Sequence, residues 1–187
     1  LTDAGYLKSF NKAFQTDTVI ITITKVAIAI GAFERSLISH NSPFDKYVSG
    51  DSLALSEAQK RGLALFSGKA DCSKCHIGKQ FTDDGFHNIG LKSPDFGRFK
   101  ILPLSAMRNA FKTPSLRDVA YRGPFMHDGS LPNLDSVISY YNHGGEYQNE
   151  SQRDPMIRKL NLSTEEQKDL KSFLFALSGQ GAHAITE

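Results

Sequence analysis

The chain has 187 residues, with 22 Lys and Arg against 20 Asp and Glu, a formal net charge of +2. That length suits one domain, or one domain with an extension. The near balance of charge excludes the broad basic field of a nucleic-acid binder. Hydrophobic residues make up 40% of the chain, enough for a core, so global disorder is excluded as well. The longest apolar stretch, residues 19–30, is interrupted by Lys25 and falls short of the ~20 residues a membrane span needs. No signal peptide and no initiator Met open the sequence, which is expected of a mature or trimmed chain. The only cysteines are Cys72 and Cys75, too few for a disulfide scaffold.

Helical patterns dominate. Tyr6, Phe10 and Phe14 recur every four residues and predict a short amphipathic helix. Ile23, Val26, Ala27, Ile30, Phe33, Leu37 and Ile38 predict a second helix over residues 22–39 that buries this stripe. Pro43 then disfavours helix at the residue before it. Ser56 to Gln59 reads as a capping box, opening a helix that Gly68 closes and that delivers the chain to Cys72. Residues 77–132, rich in Gly, Pro, Asp, Asn and Phe, predict a long ordered loop with short helical pieces. Leu134, Val137, Ile138 and Tyr141 predict a helix ended by Gly144-Gly145. A second capping box at Ser163 to Glu166 starts a helix with Leu170, Phe173, Leu174 and Leu177 inward and Gly179 as its stop. The tail, residues 180–187, is expected to be loose.

Cys72-Ser73-Lys74-Cys75-His76 is a C-x-x-C-H motif, the attachment signature of c-type heme. Two thiols on one turn reach both vinyl-derived carbons of one porphyrin, and the next residue offers its imidazole to the iron. Two other chemistries use C-x-x-C. A structural zinc site needs four ligands, and with no second cysteine pair His87, His127 or His143 would have to complete it. A thioredoxin-like pair wants a βαβ context that the pattern lacks.

The blocks around this motif carry a resemblance. Phe44-Asp45-Lys46-Tyr47, Gly62-Leu63-Ala64-Leu65-Phe66, Phe81-Thr82-Asp83 and Phe86-His87-Asn88-Ile89-Gly90 occur in order. They are followed by Lys112-Thr113-Pro114-Ser115-Leu116-Arg117, Pro124-Phe125-Met126-His127-Asp128-Gly129 and Tyr140-Tyr141-Asn142-His143-Gly144-Gly145. Together they resemble the C-terminal heme domain of bacterial diheme cytochrome c peroxidases and their MauG-like relatives. The resemblance implies an all-α c-type cytochrome domain with long heme-wrapping loops and one covalent heme c. It implies residues 1–50 as a helical segment packing on a heme domain of residues 51–187. It implies as partners an N-terminal peroxidatic heme domain and a small redox donor, and a periplasmic location, since heme attachment follows export. Tyr141 stands at the position of the second axial ligand, which is Met in the peroxidases and Tyr in MauG-like members. Met126 is the alternative ligand, and a core tyrosine bonded to backbone is the alternative role for Tyr141. Arg117 and Arg98 are expected to pair with heme propionates. The resemblance also implies a calcium ion at the domain boundary, held in part by backbone carbonyls of Arg122 and Pro124. Unlike family members, this chain has one C-x-x-C-H and no Trp, so peroxidase turnover is not expected of it alone. A free-standing monoheme electron carrier is the alternative function.

Overall fold

The computed structural model describes residues 4–16, 20–146 and 153–179. Val19, which opens the apolar stretch, and the tail from residue 180 lie outside them. Among the described residues the architecture is mainly α, with six α-helices and one two-stranded ladder. No helix is long and apolar enough to cross a membrane. The chain divides into two compact units, residues 1–38 and 39–187.

The smaller unit holds α1 (Ala4–Phe14) and α2 (Ile23–Ser36). Phe10 and Phe14, one turn apart, stack with centroids 5.8 Å apart. Thr22 caps α2 by accepting from the Lys25 amide, and the Lys25 ammonium lies over the Phe14 ring. The apolar stripe of α2 departs from expectation. Neither helix contains a buried residue, and Ile23, Ile30, Phe33, Leu37 and Ile38 are all exposed. Periodicity marks a face as apolar, but two short helices have too little surface to cover that face by themselves.

The larger unit is built on two crossed helices, α4 (Glu57–Ser67) and α6 (Thr164–Phe175). Both start in the expected capping boxes, Ser56 with Gln59 and Ser163 with Glu166. Gly68 ends α4 as expected, its amide donating to Ala64 and Leu65. Gly62 makes the crossing possible, because a Cβ there would lie 2.0 Å from the Asp169 carbonyl oxygen. Behind the crossing, Phe44, Phe66, Phe81 and Phe173 pack edge to face or tilted, with centroids 5.1–6.5 Å apart. Leu134 and Ile138 of α5 (Leu134–Asn142) join the same core with Leu170, Leu174 and Leu177. Phe44 sits on α3 (Pro43–Val48), a helix with its own capping box of Ser42 and Asp45.

Residues 77–132 run as an ordered loop with short 3-10 turns, as the composition predicts. One feature was not predicted. Strands β1 (Phe86–His87) and β2 (Phe111–Lys112) pair antiparallel, Phe86 opposite Lys112. A two-residue ladder is too short to leave an alternating pattern in the sequence.

Candidate functional site

The motif sits where α4 hands over to the loop. Asp71, at φ 55°, turns the chain out of the helix, and Cys72–Lys74 forms a single 3-10 turn. The Arg158 guanidinium holds the Asp71 carboxylate at 2.8 Å and so pins the start of the turn. Backbone amides of Cys75 and His76 both donate to the Cys72 carbonyl. Cys72 and Cys75 are both unbridged thiols. Burial pushes the Cys72 thiol up to about 12, and burial followed by Asp83 and Asp154 raises Cys75. Neither sulfur is poised as the thiolate that a redox pair requires.

His76 is more than a neighbour of the cysteines. Its Nδ1 lies 2.9 Å from the Phe81 carbonyl oxygen. A carbonyl only accepts, so Nδ1 carries the proton in that bond, and the Pro114 carbonyl is a second backbone acceptor at the ring. Burial lowers the pKa of the ring, which favours its neutral form. Metal-binding imidazoles are commonly held in place by such a backbone partner.

The two tyrosines of α5 divide two roles. Tyr140, 7% exposed, donates its hydroxyl to the Ile89 carbonyl at 3.0 Å. Tyr141 crosses it at 88°, packs on the hydrophobic core and makes no hydrogen bond among the described residues. Its pKa is raised, first by burial and then by Tyr140, Cys72 and Cys75. The backbone bond expected of a core tyrosine therefore belongs to Tyr140. These donors fit a c-type heme: two unbridged thiols, an imidazole oriented by a backbone carbonyl, and a phenol with no hydrogen bond among the described residues.

Each of the remaining expected residues has its own contacts. Met126 is half-buried on a separate turn, at φ 71°. Arg117 gives its guanidinium to Asp45 at 2.9 Å and to the Lys79 carbonyl at 2.8 Å, over the Phe81 ring. Arg98 lies over the Phe86 ring at 4.7 Å and helps line a surface cavity of about 340 Å³. Arg122 and Pro124 are exposed, and their carbonyls accept no backbone hydrogen bond among the described residues.

The zinc alternative finds little here. His127 stacks on Phe111 with centroids 3.6 Å apart, and the Nδ1 of His143 meets its own helix at the Ser139 carbonyl. Cys75, Asp83 and His87 do come together, with ligand atoms within 4.8 Å of one another. His87, however, presents Nε2 to Asp83 at 2.8 Å and Nδ1 to Asp154 at 2.6 Å, so neither nitrogen is left for a cation. Sequence reasoning missed this bracketed histidine. Asp83 and His87 are four residues apart and visible as a pair, but Asp154 stands 67 residues away.

Comparison with known proteins points to one family. A profile of the family described as di-haem cytochrome c peroxidase matches residues 1–53. The methylamine utilization protein MauG of Methylorubrum extorquens is 44% identical over 185 residues, covering 97% of this chain and 51% of that protein. The cytochrome-c peroxidase IdrP1 of Denitromonas iodatirespirans is 34% identical, covering 92% of this chain and 54% of that protein. A crystal structure of a MauG-like protein associated with microbial copper homeostasis superposes with a TM-score of 0.79 at 31% identity, over 89% of this chain and 60% of that one. The fold and these matches define a domain of the diheme c-type cytochrome class. The chain belongs to the diheme cytochrome c peroxidase and MauG family, and it spans about half the length of the curated relatives it matches.

Proposed function

We propose that this chain is the C-terminal electron-transfer domain of a MauG-like diheme oxidoreductase, binding one heme c through Cys72 and Cys75. The observation that carries the proposal is the His76 ring, held through Nδ1 by the Phe81 carbonyl on the segment that carries two unbridged thiols. Bound heme supplies a one-electron couple whose potential the axial ligands set. His76 would hold the iron of a bound heme, and Tyr141 would be its second protein ligand, because its phenol has no hydrogen-bonding partner among the described residues and feels the charge of both cysteine sulfurs. An anionic oxygen ligand would favour the ferric state and so a low potential. Met126, on its own turn, is the lesser candidate.

The domain passes or stores oxidising equivalents for a peroxidatic heme in an N-terminal domain, and a small redox protein supplies electrons. The exposed apolar face of α2 supports such a partner, since a face of that kind is normally covered. The carbonyls of Arg122 and Pro124 are offered to a calcium ion, with side-chain ligands from the partner. Residues 77–132 are the loops that wrap the heme. Arg98 and Arg117 stand as propionate partners, Arg117 only with the donors left over from Asp45. Covalent heme attachment places the protein in the periplasm. The monoheme carrier remains the second reading, since the chain has one C-x-x-C-H and no Trp. Peroxide turnover decides between them. Turnover by the two halves together, and none by this chain alone, is expected. Ready electron exchange without any turnover in the complete protein would favour the carrier.

A further inference from the structure

The bracketed histidine lies outside the iron ligands, yet it borders the heme-attachment turn. His87 leaves β1 with Asp83 on one ring nitrogen and Asp154 on the other, at 2.8 and 2.6 Å. The Cys75 sulfur lies within 4.8 Å of ligand atoms of both Asp83 and His87. All three clamp residues are partly buried, their side chains 18–25% exposed. Each member is tied to a different segment. Asp83 accepts from the Gly85 amide at 2.8 Å, and its neighbour Thr82 donates to the Thr113 carbonyl at 2.7 Å. Asp154 donates its amide to the Asn88 carbonyl, and its other carboxylate oxygen accepts from Met156. Asp83 is also two residues from Phe81, whose carbonyl orients His76.

We propose that Asp83, His87 and Asp154 form a charged clamp that positions the heme-attachment segment and, through its net charge of one negative, lowers the reduction potential of the heme at the Cys75 edge. The inference rests on the heme assignment above. The clamp holds two carboxylates against one imidazolium. Two oxygens facing opposite nitrogens of one ring require both nitrogens to carry protons, because carboxylates only accept. The partners raise the His87 pKa against the opposing effect of burial, in line with that geometry. A fixed negative charge beside a heme favours ferric over ferrous iron, and partial burial limits its screening by solvent. His87, Asp83 and Asp154 touch neither iron nor substrate in this scheme. They are positioning residues.

The test is a charge cycle on the heme-loaded protein, at about pH 6, below the ordinary histidine pKa of about 6.5. Asp154→Asn keeps shape and removes one negative charge, so the midpoint potential rises. His87→Gln removes the positive charge, so the potential falls. The double variant His87→Gln with Asp154→Asn restores the net charge and returns the potential towards the wild-type value. A purely structural clamp would shift both single variants in the same direction, and the double variant at least as far. Same-direction shifts, or no shift in either single variant, overturn the proposal. So does failure of Asp154→Asn to load heme, because the residue would then act on maturation. A wild type with no heme absorbance removes the heme assignment itself; a heme-loaded wild type with unmoved variants removes only the clamp.

Discussion

Gly62→Ala tests whether the close α4–α6 crossing constrains the packing of the larger unit. The added Cβ would meet the Asp169 carbonyl oxygen at 2.0 Å and the Phe173 Cβ at 2.7 Å. Two effects oppose each other. Alanine improves helix propensity by about 1 kcal/mol. Against that, real contacts of this kind essentially never fall below 3.0 Å, so one helix must withdraw by at least 3.0 − 2.0 = 1.0 Å. The nearest atoms are backbone and cannot swing aside, and Phe173 is fully buried. Overpacking of a tight core costs about 1–3 kcal/mol, and this site belongs at the upper end. The net loss is about 2 kcal/mol, a fall in melting temperature of roughly 4–8 °C for a domain of this size. Thermal and urea melts followed by far-UV circular dichroism measure it. An unchanged or raised melting point would show that propensity outweighs packing and that the close crossing is not a constraint.

Tyr141→Phe removes the phenol oxygen while keeping the ring on the core, so the fold is retained and the ferric spectrum changes to that of a heme lacking its sixth ligand. An unaltered spectrum and potential would exclude Tyr141 as the ligand. Acid stability depends on Asp83. Burial opposes its ionisation, but bonds from Thr113, His87 and the Gly85 amide outweigh it and hold the carboxyl at about 2, below the ordinary 3.8. A lowered folded pKa contributes stability that is present above the unfolded value and lost as pH falls from there through about 2. Chemical melts at stepped pH should therefore show the wild type losing stability across this window, with Asp83→Asn losing less. Equal slopes in the two proteins would contradict the assignment. His87 works in the opposite sense. Its raised pKa adds stability below the ordinary value of 6.5, lost as pH rises through the folded pKa.

The parts of this fold legible in the sequence are those set by near neighbours. Ser56 with Gln59 and Ser163 with Glu166 announce their helices because a capping box closes over three residues. Cys72, Cys75 and His76 are legible as a candidate site because five consecutive residues hold all three. The box of Ser42 and Asp45 has the same local character and was available, but Pro43 beside it reads more readily as a helix stop than as a first helical residue. The face of α2 shows where local information ends, for spacing identifies an apolar stripe without identifying what covers it. The same holds for Asp154 and Arg158. Each reaches the attachment turn or its flank from the far side of the sequence, and no spacing rule connects them to it.

Mass spectrometry of the denatured, naturally matured protein is the most direct test of a porphyrin joined to Cys72 and Cys75. One heme remaining on the peptides that carry these cysteines, resistant to extraction and to thiol alkylation, is the expected result. Two alkylated cysteines on a colourless chain, or a zinc ion in place of iron, would contradict it.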